Sequence, residues 1–175
     1  HLLRSYAFIE NDRISLIIVE TLRQYLHVFE NNKILNTENK FGNFSFINEV
    51  FQRCYLNDEN TKTYFENLIN NTNDTDYSRY IFFYVNYLVE NGRGNEANII
   101  TDELNYLNSS LLISQTKYWV ESLKLKEFEK IFSCKNPNDI VSELFFLVAN
   151  LYSSESDYES SNFYLNISHF LNPKF

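Results

Sequence analysis

Between Asn136 and Pro173 the sequence NPNDIVSELFFLVANLYSSESDYESSNFYLNISHFLNP leaves little choice of local structure. Asn136 is a residue that caps helices, Pro137 suits a first helical position, and Asp139 sits where the helix dipole favours an anion. Apolar residues then recur at Ile140, Leu144, Leu147, Val148 and Leu151, which is one face at helical period. Ser156 and Glu159 have the spacing of a capping box, which predicts a second helix. Its inward face is predicted to carry Tyr158, Ser161, Leu165, Ser168 and Leu171, and Asn172-Pro173 to stop it. Two helices with a short polar connection make a helical hairpin. Small residues at Ala149, Ser161 and Ser168 mark where the two backbones approach.

The rest of the chain repeats this period with weaker punctuation. Ile14, Ile18, Leu22, Tyr25 and Phe29 form one apolar face, preceded by Leu2, Leu3, Tyr6, Ala7, Phe8 and Ile9 and the polar turn Glu10 to Arg13. Asn31 to Asn43 is polar and reads as a loop. Phe44, Ile47, Phe51, Cys54 and Tyr55 give another helix face, and Tyr64, Phe65, Leu68 and Ile69 its partner. After the polar linker Asn70 to Asp76 come Ile81, Tyr84, Val85 and Leu88, a break at Asn91-Gly92-Arg93-Gly94, then Ala97, Ile100, Leu104 and Leu107. Gly92 is placed to take a left-handed conformation between helices. A further helix holds Leu112, Trp119 and Leu123, and residues 125–135 lose clear period. The expectation is an all-α fold of about nine helices in antiparallel pairs, with no strands.

The stretch 136–173 resembles a tetratricopeptide repeat. That motif has large, large–small and aromatic residues on its first helix, matched by Phe145, Val148-Ala149 and Tyr152. Tyr158, Ser161, Leu165, Ser168 and Pro173 match the second helix and the closing proline, at the repeat's length of 34 residues. Both second-helix small positions are Ser rather than Ala, and Phe145 replaces Trp. The likeness extends more loosely to residues 76–108 and weakly to what precedes Asn70. It implies an α-solenoid, a right-handed superhelix of hairpins at about 1–30, 44–70, 76–108 and 136–173, with an extra helix at 110–124. It implies a single repeat region cut at both ends from a longer, bacterial-type protein whose further repeats flank it.

Function follows from the same resemblance. First helices of such repeats line a concave groove, so Arg79, Phe82, Phe83, Asn86, Glu143, Phe146, Leu147 and Asn150 are the candidate partner-binding residues. The expected partner is a protein or peptide, bound without catalysis by a scaffold module. Asn86 and Asn150 share the groove position at which one subclass clamps a peptide carboxylate, but Phe82 and Phe146 stand where that clamp has Lys. Two alternatives stay open: a structural spacer within a longer solenoid, and a helical accessory domain of an enzyme whose catalytic part lies elsewhere.

Composition narrows the classes further. A net charge of −8 disfavours nucleic acid, and no cluster of Lys and Arg offsets it. No apolar run is long enough to insert in a membrane. His1, His27 and His169 lie far apart without metal-ligand spacing, and no phosphate loop or nucleophile motif occurs, so no catalytic residue, metal or cofactor is expected. Cys54 and Cys134 read as a core helix residue and a loop residue, without the close pairing of a disulfide scaffold or zinc site. The compartment, cytoplasmic or periplasmic, is not written in the sequence.

Overall fold

The computed structural model describes residues 13–35, 40–70, 78–104 and 110–174. They are 78% helical and contain no strand. Nine helices lie among them: α1 Arg13–Asn31, α2 Asn43–Leu56, α3 Thr61–Asn70, α4 Ser78–Glu90, α5 Gly94–Asp102, α6 Leu111–Glu121, α7 Lys126–Ile131, α8 Pro137–Ser154 and α9 Tyr158–Leu171. The apolar segment before Arg13, the 71–77 linker and Leu107 fall outside the described residues.

The helices belong to two compact units, one of residues 1–57 with 135–175 and the other of residues 58–134. In the first, α1 packs on α2 and on α8, and α8 packs along α9. The helices read as one hairpin over 44–70 divide between the units, α2 in the first and α3 in the second.

The α8–α9 hairpin shows how small residues bring helices close. Ser142 and Ser168 exchange hydrogen bonds: each hydroxyl donates to the other's backbone carbonyl at 2.9 Å. The short hydroxymethyl side chains let the two backbones approach far enough for that reciprocal bond. Two turns along, Ala149 and Ser161 are buried on the same helices. At the edge of the hairpin the Tyr164 ring stacks between Phe145 at 5.7 Å and Tyr152 at 5.4 Å. Replacing Ala149 by Leu is expected to cost about 1–3 kcal/mol, because the extra methylenes have no space between close backbones. A thermal melt checks this, and an unchanged midpoint would remove Ala149 from the seam.

The caps correct the sequence in detail. Asn136 caps α8, accepting from the Asn138 N–H, with Pro137 at the first turn as expected. The second helix begins later than the expected Ser156–Glu159 box: Asp157 caps α9, accepting from the Ser160 N–H at 3.0 Å. Ser156 instead takes the left-handed conformation (φ 63°) that closes α8, where the Asp157 N–H donates to the Tyr152 carbonyl. Ser156 therefore shapes the turn between helices, and the capping moves one residue on. Hydrogen bonds from Ser160 hold the Asp157 carboxyl below its ordinary range. Tyr158 and Leu165, expected inward, point to solvent; Ser161 and Ser168 alone of that face are buried.

Gly92 does turn the chain between α4 and α5 at φ 71°, with the Arg93 N–H donating to the Leu88 carbonyl. Leu123, expected in the core of its helix, is 82% exposed at φ 56° after α6 has ended. Residues 125–135 contain the six-residue α7. Neither cysteine is a free thiol: Cys54 in α2 and Cys134 in a turn are buried, and both are disulfide-bonded.

Candidate functional site

The second unit is built around α4, in which Tyr80 and every residue from Phe82 to Leu88 are buried. A helix apolar on nearly all sides must be surrounded. Helices α3, α5, α6 and α7 supply the surround. Its rings form a connected cluster. Phe82 meets Phe128 at 5.9 Å, Phe83 meets Phe132 edge-on at 4.5 Å, and Trp119 meets Phe128 edge-on at 5.3 Å. On the other side Phe65 stacks on Tyr84 at 5.4 Å.

This packing decides the fate of the expected groove. Phe82 and Phe83 are core residues with no exposed surface, because Phe128 and Phe132 of the same chain pack against them. Asn86 is buried too; its Nδ2 donates to the Phe132 carbonyl at 2.6 Å, and its Oδ1 has no hydrogen-bond partner. Arg79 is half-buried, its guanidinium 5.6 Å from the Phe83 ring centre. In the first unit Glu143 is buried, Phe146 and Leu147 are half-buried, and Asn150 is exposed. The eight residues divide between both units, and four of them are inaccessible to a partner. Asn86 and Asn150, expected to share one groove position, are opposite in exposure.

Charge gathers at one place in the second unit. Glu96 accepts from Arg93 at 2.6 Å and from Lys62 at 2.7 Å. Those hydrogen bonds, Arg93's first, push the Glu96 carboxyl down to about 2. Nearby, the Tyr84 hydroxyl donates to Glu66 at 2.9 Å, and burial followed by that carboxylate raises its pKa well above the ordinary phenol range. The cluster ties α3 to α4 and α5, and its cations are engaged by carboxylates of the same chain. A depressed carboxyl contributes stability that is complete above the unfolded-state value and lost as pH falls through the folded one. Stability is therefore expected to drop between about pH 5 and pH 2. Glu96→Gln should remove part of that slope in acid melts, leaving the melting point near pH 7 lower than the parent's. An identical slope in the variant would exclude Glu96 as its source.

Among the described residues no group of three His, Cys, Asp or Glu is arranged to hold a metal, and no helix is long and apolar enough to cross a membrane. His27 is half-buried on α1 and His169 is exposed on α9, each a helix-face residue. No protein family, curated protein or solved structure matches this chain.

The open apolar surface lies where the groove was not expected. On α9, Phe170 is 84% exposed, Tyr158 65% and Phe163 59%, with Leu165 partly exposed. Phe163 and Phe170 are seven residues apart, two helical turns, so they share one face, with exposed Asn166 between them. Large apolar side chains grouped on a surface mark contact sites more often than scattered ones do. The missed signal was in the sequence: α9 carries aromatic or apolar residues on both sides of its buried serine seam, more than one neighbouring helix can cover.

Proposed function

We propose that this chain is a non-catalytic protein-binding module that contacts its partner through the outer face of α9. The observation that carries this reading is the pair Phe163 and Phe170, large, exposed and in register on one helix. A few large side chains of that kind dominate the affinity of most protein interfaces. The tetratricopeptide likeness of residues 136–173 supports it, since proteins of that repeat act by binding other proteins or peptides. An open superhelix keeps each hairpin against its sequence neighbours. Helix α1 packs on α8 across most of the chain, so the repeat reading is strongest for the α8–α9 hairpin itself. The disulfide-bonded cysteines favour an oxidising compartment as the place of action.

A photoreactive benzoylphenylalanine at position 170, introduced into the full-length protein in its native cell, tests the surface directly. Cross-linked product is expected from position 170 and not from exposed Lys126 on α7. Equal cross-linking from both positions, or none from 170, would remove this face as a binding surface.

A further inference from the structure

We propose that the occupant of the α9 face is a second copy of this chain, paired antiparallel about a two-fold axis near Asn166. The inference rests on the binding role just given to that face and names its partner.

Self-complementarity carries it. A two-fold axis between Asn166 and Ile167 sends each residue to a mirror position in sequence, so Phe163 of one copy meets Phe170 of the other, twice. The charges at the two ends of α9 are opposite. Glu155, Asp157 and Glu159 are exposed at its N-terminal end, and Lys174 is exposed just past its C-terminal end. Among the described residues, Glu155, Glu159 and Lys174 make no ion pair within the chain. Antiparallel pairing brings the acidic end of each helix beside the Lys174 of its partner, and it opposes the two helix dipoles. A parallel pairing would place carboxylates against carboxylates. The net charge of −8 repels a second copy at long range. Beyond about 8 Å that repulsion is screened at physiological salt, whereas the contacts within the pair are closer.

The contact is small. A helix of 14 residues is about 21 Å long, and two Phe from each copy bury less than the roughly 1,200 Å² of a lasting interface. The expected state is a reversible dimer, populated at about 0.1 mM and dissociating on dilution.

Sedimentation of the purified, oxidised chain over a hundredfold concentration range reads this out. The parent should shift from monomer to dimer. Phe163→Ser with Phe170→Ser should remain monomeric, with unchanged circular dichroism because both side chains face solvent. Glu159→Lys, at an exposed position, should weaken dimerisation at least fivefold. Adding Lys174→Glu to it should restore the parent constant, since an antiparallel pair exchanges the two charges. A parent that stays monomeric at 1 mM overturns the proposal. So does a dimer that survives both Phe changes, or a charge exchange that fails to restore pairing. Cross-linking of position 170 to a different protein, with a monomeric parent, would keep the binding role of α9 and reject the second copy as occupant.

Discussion

Phe82→Ala is expected to destabilise the protein by about 3–5 kcal/mol, the cost of removing a fully buried aromatic ring and leaving a cavity. Phe82 has no exposed surface and touches Phe83 and Phe128, while Phe128 in turn meets Trp119. Interiors pack at crystal-like density, so the lost ring cannot be replaced by sliding one neighbour. For a chain of this size the midpoint of a thermal melt should fall by roughly 10 °C. The measurement separates two roles for one residue. A groove residue would lose binding while keeping the melt; a core residue loses the melt and keeps binding wherever the protein is still folded. Self-association of Phe82→Ala at low temperature should therefore match the parent. An unchanged melting point would return Phe82 to the surface and contradict the aromatic cluster.

What the sequence disclosed, and what it hid, follows from the range of the forces involved. Helix ends were legible where a single residue fixes the local backbone: Asn136 and Pro137 open α8, Gly92 closes α4, and Asn172-Pro173 stops α9. Period alone found α1, α2 and α4, because an apolar face repeats every three to four residues whatever lies against it. Which neighbour covers a face is a different matter. Leu165 and Tyr158 satisfy the period of α9, yet the close approach at Ser161 and Ser168 turns the buried seam to one side and leaves them in water. The same limit misplaced the groove. Phe82 stands at a position that would line an open surface, and α7, a six-residue helix in a stretch without clear period, covers it with Phe128. The two cysteines show the limit at its plainest, since nothing local marks either as a half-cystine.

The seam between α1 and α2 was also invisible, for a different reason: it is polar. Tyr25 donates to Asn48 Oδ1 at 3.1 Å, Asn48 Nδ2 donates to Thr21 at 2.7 Å, and Gln52 donates to Gln24 at 3.1 Å, all of them buried. Gln24 and Arg23 both reach back to Glu20, which is buried beside them. An apolar period picks out Tyr25 but counts Glu20, Thr21 and Gln24 as solvent-facing, although the spacing 20, 21, 24, 25 on α1 is that of an inward face. Burial, and then the nearby Glu143 carboxylate on α8, raise the Tyr25 pKa far above the ordinary phenol range, so this hydroxyl keeps its proton and remains a donor.

Asn48 joins two of these partners, and Asn48→Ala is expected to cost about 2–4 kcal/mol. Each of two buried hydroxyls, on Tyr25 and Thr21, loses its partner, at about 1–3 kcal/mol for an unsatisfied group. Tyr25→Phe removes one bond and leaves only the Asn48 oxygen unpaired, so its cost should be smaller, about 1–2 kcal/mol. The two changes share a contact and should not add: the double variant is expected to be at least 0.5 kcal/mol more stable than the sum of the single losses predicts, within the range of coupled neighbours. Urea melts of the four proteins provide the cycle. Strict additivity would show that Tyr25 and Asn48 do not interact in solution. Asn48→Leu offers the complementary result. It restores bulk without restoring hydrogen bonds, so it should remain destabilised if satisfaction of the buried hydroxyls holds α1 on α2, and recover most of the loss if volume alone does.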